Sequence, residues 1–197
     1  MKMPKGRLEA FTDGVMAIII TIMVLELKVP DGFELDSLLA VVPKLLIYLL
    51  SFVFVGIYWM NHHHMLHTTK KITGGILWAN LSLLFWLSLF PFVADWMGEN
   101  LFRPLPSAAY GFILFMAGIS YLILQKSIIA SDGENSALKK AVGDDRKGKF
   151  TSGLIVLAVI FSFFQTYISL IIYILITIIW MVPDRRIEKV LSSSDES

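Results

Sequence analysis

Cysteine is absent from the 197 residues, and that one absence removes disulfides, thiolate chemistry and cysteine-based zinc or iron–sulfur sites together. Charge is scarce as well: Asp, Glu, Lys and Arg make up 17% of the chain, where an ordinary soluble domain carries roughly a quarter. Seventeen basic against sixteen acidic residues leave a net charge of +1, so nothing points to a nucleic-acid partner or to a polybasic membrane-surface binder. No internal repeat is visible. What the chain has in excess is hydrophobicity, 56% of its residues with a mean hydropathy of +0.69. These residues arrive in separate runs long enough to cross about 30 Å of hydrocarbon. That excludes a cytosolic enzyme and a disordered tail, and predicts a polytopic membrane protein. The first run does not read as a cleavable signal, because Glu26, Lys28 and Pro30 follow it without a small-residue cleavage pattern and an acidic residue lies inside it.

The runs predict an all-α fold, one six-helix transmembrane domain over residues 1–197, with spans near 8–29, 38–60, 74–97, 107–124, 150–165 and 167–182. Pro104 and Pro106 precede the fourth span as helix-starting residues. The hydrophilic segment Gln125–Lys149 reads as a solvated loop with one short helix around Ser136–Val142. The apolar stretch from Phe150 to Val182 is too long for one helix and is divided near Gln165-Thr166. Six spans put fourteen lysines and arginines on the side that holds both termini, two (Lys28 and Arg103) on the other, and Lys44 inside span two. This asymmetry places both termini, including the tail 184–197, in the cytoplasm of a multi-pass protein of the cell (plasma) membrane.

Polar side chains inside the spans need partners, since an unpaired ionisable group in hydrocarbon costs a few kcal/mol. Asp13 and Asn80 each lie about two turns into spans one and three from the cytoplasmic side, and His62 ends span two one turn after Trp59. The shared depth predicts one hydrogen-bonded cluster of Arg7, Thr12, Asp13, Trp59, His62 and Asn80 that ties the first three spans together. The competing reading leaves these groups in the wet interface, bonded to water or lipid. On a helical wheel, Ile22 and Leu25 fall within about 40° of Ile18, whereas Thr12 and Asp13 lie more than about 100° away. Such an apolar stripe on a membrane helix is more often lipid-facing or packed than pore-lining.

Several motifs carry no chemistry. Val55-Gly56-Ile57-Tyr58 imitates part of a potassium-selectivity loop but sits in a continuous apolar helix. Only His63 and His67 of the four histidines share a face at i and i+4, and no carboxylate or cysteine joins them, so no metal site is expected. Gly74-Gly75 lacks the Lys-Ser/Thr of a phosphate cradle, and Asp144-Asp145 reads as a solvated face. No cofactor and no enzymatic nucleophile beyond Thr12 is apparent.

The sequence Arg7-Leu8-Glu9-Ala10-Phe11-Thr12-Asp13 resembles the R-x-x-x-F-S-D signature that opens the first helix of the lysosomal-type potassium channel family, with Thr in place of the usual Ser. Trp59 with His62, and Asn80 with Pro91, match further family features in the second and third helices. The resemblance covers spans one to three closely and the rest by number and hydrophobicity. It implies a potassium-permeable channel, built as a homotetramer in membrane lipid, with the first helix lining a central pore. It also implies that Phe11 belongs with the structural cluster and that Ile18, five residues after Asp13, is the principal hydrophobic constriction or gate, with Ile22 and Leu25 as further apolar layers. Thr21 and Glu26 are the expected polar residues beside the pathway, and potassium is the permeant ion. Two other functions stay open: a proton-coupled secondary transporter using Asp13 and His62 as a relay, or a membrane-embedded enzyme built on the same cluster.

Overall fold

The computed structural model describes residues 4–133 and 136–181, and these form helices joined by short turns, with no strand among the described residues. In chain order the helices are α1 (Lys5–Leu25), α2 (Leu35–His67), α3 (Gly74–Ser88), α4 (Phe90–Glu99), α5 (Pro104–Asp132), α6 (Ala137–Val142), α7 (Arg146–Ser162) and α8 (Thr166–Met181). The fold is all-α, as the apolar runs predict. The tail 184–197 and the last residue of the run ending at Val182 lie outside the described residues.

Local chemistry sets the helix ends. The Thr73 hydroxyl accepts the Ile76 N–H at the start of α3, Ser136 accepts the Lys139 N–H at the start of α6, and the Asp145 carboxylate accepts the Gly148 N–H at the start of α7. Pro104 and Pro106 stand in the first turn of α5, where a missing N–H costs nothing. Pro91 separates α3 from α4: it cannot donate to the Leu87 carbonyl and its ring would strike it, so a single apolar stretch bends at Leu89. Two helices outrun the apolar segments that announce them. α2 continues past Met60 to His67 because Asn61, His62, Met65 and Leu66 are buried, and α5 passes Leu124 to reach Asp132 with Ile128 fully buried. The segment expected to be a loop from Gln125 is therefore helical over its first eight residues, 125–132. The turn between α7 and α8 occupies 163–165, beside the Gln165-Thr166 pair where the terminal run is divided.

One apolar core runs through the bundle. α1 packs on α2, α3 and α4, while α5 holds α3 on one side and α7 on the other, and α8 closes against α7. Four stretches, Lys5–Leu25, Leu35–His67, Gly74–Glu99 and Pro104–Asp132, are long and apolar enough to cross a membrane, and α8 adds a shorter apolar helix. The chain is a multi-pass membrane protein.

Candidate functional site

The first helix is divided lengthwise. Leu8, Thr12, Met16, Ile19 and Met23, spaced by three or four residues, are its buried face. The opposite face has no cover: Ile18 is 58% exposed, Ile22 40% and Leu25 79%, with Thr21 and Glu26 exposed beside them. Apolar side chains on that face are interleaved with Gly14 and Ala17, which are also exposed. The Thr21 hydroxyl donates to the Ile18 carbonyl at 2.9 Å, so its proton is used within the helix and its oxygen remains as an acceptor on the open face. Glu26 caps the carboxyl end of the helix through its backbone N–H, with its carboxylate beyond the last turn.

The buried face is fastened by hydrogen bonds. The Asn80 amide nitrogen donates to the Thr12 hydroxyl at 2.9 Å, and the Asn80 carbonyl oxygen accepts from His62 Nε2 at 2.7 Å. Thr12 and Asn80 are fully buried and His62 is almost so, which makes this triad a dry link between α1, α2 and α3. Beside it the Trp59 indole N–H donates to Asp13 Oδ1 at 2.9 Å, a second and more exposed link between α1 and α2. His63 stacks on the outer face of Trp59 with ring centres 6.4 Å apart.

The expected cluster is thus two adjacent pairings rather than one network. Trp59 and His62 share a helix face but take different partners. Arg7 joins neither pairing: it is exposed, and its side chain makes no hydrogen bond or ion pair among the described residues. Phe11, grouped with the cluster on resemblance, is half-exposed and lies seven residues before Ile18, within about 20° of it around the helix. It therefore extends the open stripe by two turns toward the amino end.

Two further sets of polar contacts, one on α1 and one just beyond its carboxyl end, escape a reading of the sequence by depth alone. Near the amino end, Lys5 Nζ donates to the His67 carbonyl at 2.9 Å and pairs with Glu9 at 3.9 Å. Beyond the carboxyl end of α1, Lys28 pairs with Glu99 at 3.1 Å, while Lys44 of α2 reaches Glu99 of α4 at 3.3 Å and also pairs with Asp95. A lone lysine within a span calls for carboxylates at its own depth, and Asp95 with Glu99, one turn apart, supply them. Among the described residues no group of three or more metal-ligating side chains comes together, and His63 with His67 remain neighbouring rings 6.3 Å apart.

Known proteins share this architecture. The family model described as "Endosomal/lysosomal potassium channel TMEM175" matches residues 7–91, the stretch that holds both pairings and the open face of α1. A protein named as a potassium channel in Chryseobacterium sp. (strain P1-3) is 53% identical over 192 residues, covering 98% of this chain and 100% of that protein. The human endosomal/lysosomal proton channel TMEM175 is 38% identical over 94 residues, 41% of this chain and 19% of the human protein. The crystal structure of a lysosomal potassium-selective channel TMEM175 homolog from Chamaesiphon minutus superimposes with a TM-score of 0.80 at 28% identity, over 91% of this chain and 97% of that one. The relatives are named as channels, not enzymes, in keeping with a buried Thr12 hydroxyl that already accepts a hydrogen bond. With full-length coverage of a relative more than half identical and a matching backbone, the chain belongs to the TMEM175 family.

Proposed function

We propose that the chain is one subunit of a potassium-permeable channel of the plasma membrane, a homotetramer in which the open face of α1 lines a central pathway. The observation that carries the reading is the two-sided first helix: fastened on its buried face by the Thr12 triad, it leaves Phe11, Ile18, Ile22 and Leu25 exposed in its own subunit. Rotational symmetry supplies the missing walls, since one helix cannot enclose a path and a closed ring buries the same stripe in every copy. The six-span arrangement follows with α7 and α8 as the fifth and sixth crossings; at 1.5 Å per residue the 13 residues of α7 after Lys149 and the 16 of α8 reach about 20 and 24 Å, which requires local thinning of the bilayer. Both termini then lie in the cytoplasm with most of the lysines and arginines.

In this arrangement Ile18 side chains meet on the axis. They offer no ligand to a dehydrated ion, so the constriction blocks by excluding water as well as by size. Ile22 and Leu25 form layers beyond it, the Thr21 oxygen offers a hydrogen-bond acceptor close to the wall, and the Glu26 carboxylates at the mouth concentrate cations. Selectivity built this way favours the cation that loses water more easily. A proton relay through Asp13 and His62 has less support, because each has its own partner and no hydrogen bond joins them.

The test is cation flux into liposomes holding the purified chain. Uncoupled potassium flux that rises in Ile18→Asn, with weakened discrimination against sodium, is the expected result. Flux unchanged in rate and selectivity in an Ile18→Asn tetramer of normal stability would put the constriction elsewhere, and flux that requires a proton gradient would favour a transporter.

A further inference from the structure

A second concavity lies inside the subunit, apart from the face of α1. It is a cleft between α2, α5, α7 and α8, capped by the segment that leads from α6 into α7. Its floor is apolar, formed by Phe54, Ile57, Leu114, Ile155 and Ile176. Its rim is polar, with Asn61, Gln125 and Ser152, and from Leu114 to Gln125 along α5 the distance from floor to rim is about 16 Å.

Two rim groups are left with hydrogen-bonding capacity although buried. Gln125 is 8% exposed, lines the cleft and makes no hydrogen bond among the described residues. Asn61 is similarly buried; its amide nitrogen donates to the Ile57 carbonyl at 2.9 Å, and its carbonyl oxygen has no donor among the described residues. Amide groups that keep free hydrogen-bonding capacity on largely buried side chains, at the mouth of an apolar cleft, describe a place for a molecule with one polar end. Among the described residues Asp145 is the one charged side chain that lines the cleft, and the Lys147 ammonium stands 4.5 Å from the centre of the Trp180 ring, which also lines it. A carboxylate in the lining disfavours an anionic head, and the amide pair can both donate to and accept from a hydroxyl.

We infer that this cleft is a binding site for a single-chain neutral amphiphile, its hydroxyl head on Gln125 and Asn61 and its hydrocarbon tail on the Phe54, Leu114 and Ile176 floor. The apolar floor makes water a poor occupant, since it would meet few polar partners there. Gly118 sits in the wall without a side chain; a Cβ there would lie 3.7 Å from the Tyr58 hydroxyl, so a larger residue grows into the cleft rather than into backbone. The site does not depend on the channel reading and can be tested without measuring flux.

The experiment is photolabelling of the full chain in liposomes with a diazirine-bearing decanol, followed by peptide mapping. Saturable labelling of segments 114–125 and 148–155 is expected, competed by unlabelled decanol about tenfold better than by decanoate at a pH where the acid is ionised. Gln125→Leu removes the head contact and Gly118→Leu fills the cleft, and each should weaken labelling by about fivefold or more while the parent elution profile is retained. Labelling that tracks lipid exposure over the whole surface overturns the site. Equal competition by decanoate overturns the neutral head, and that comparison is made on the parent chain, so it stands even if a variant fails to fold.

Discussion

Replacing Asn80 by alanine removes both bonds of the buried triad at once and strands the Thr12 hydroxyl and His62 Nε2, which have almost no exposure to water. Hydrogen bonds between membrane helices are worth about 0.6 kcal/mol on average and up to about 1.7, so two of them set a loss of roughly 1 to 3 kcal/mol. That corresponds to a change of about 5- to 150-fold in the folded ratio. The loss is read as a lower thermal midpoint in detergent, followed by intrinsic tryptophan fluorescence at fixed protein concentration, because association shifts the midpoint of any oligomer. A control separates lost bonds from stranded groups. The apolar triple variant Thr12→Val, His62→Leu, Asn80→Leu leaves no buried polar atom unpaired, and it should regain part of the stability that Asn80→Ala loses. An unchanged midpoint in Asn80→Ala would refute the triad as an anchor, and a triple variant no more stable than the single one would refute the argument from unpaired groups.

Asp13→Asn keeps an oxygen that accepts from Trp59, so its stability should fall less than that of Asn80→Ala, while Asp13→Leu, which removes the acceptor, should fall further; the same melting experiment ranks the three. Lys44→Met leaves Asp95 without its ion pair in a mostly buried position, a loss of up to about 3 kcal/mol, and adding Asp95→Leu should restore part of it in the melt. Gly111→Val should destabilise by about 1 to 3 kcal/mol, because even a Cβ at that position collides with the Tyr173 hydroxyl, which donates to the Ser107 carbonyl at 3.0 Å; a midpoint equal to the parent's would show that α8 shifts freely.

Depth in the membrane is legible in a sequence and azimuth is much less so, which explains what the chain disclosed and what it withheld. Hydropathy with 1.5 Å per residue puts Thr12, Asp13, Trp59, His62 and Asn80 near one level, and the cost of burying them unpaired makes their association a physical expectation. Which of them bond is set by fractions of a helical turn and by the tilt of α1 against α2 and α3. Trp59 and His62 share a face, yet one takes Asp13 and the other Asn80. Arg7 is expected in the cluster, but about one and a half turns nearer the end of α1 it is exposed. Lys44 is legible as an anomaly without its partners being legible, because Asp95 and Glu99 lie at the far end of the third span, distant in sequence. The helix ends that ran past expectation, at His67 and Asp132, reflect the same limit. Polarity marks where hydrocarbon stops, while a helix ends where its burial and its caps end.

The first helix also constrains what can stand against its open face. An apolar stripe by itself is compatible with lipid, since hydrocarbon is as good a neighbour for isoleucine as protein is. Asp13 is not. It is exposed, it lies more than about 100° around the helix from Ile18, and the subunit gives its side chain one hydrogen bond, from the Trp59 indole. A carboxylate left so close to hydrocarbon costs a few kcal/mol, which a second copy of the chain or a water-filled vestibule relieves and lipid does not. Just past the other end of α1, Lys28 and Glu99 are exposed charges that need water beside them. Between those two wet ends the stripe from Ile18 to Leu25 is the dry stretch, about 11 Å long at 1.5 Å per residue. A helix with charged groups near both ends, an apolar stripe left open between them and its rotation fixed by the Thr12 triad is what the proposed pore-lining role requires.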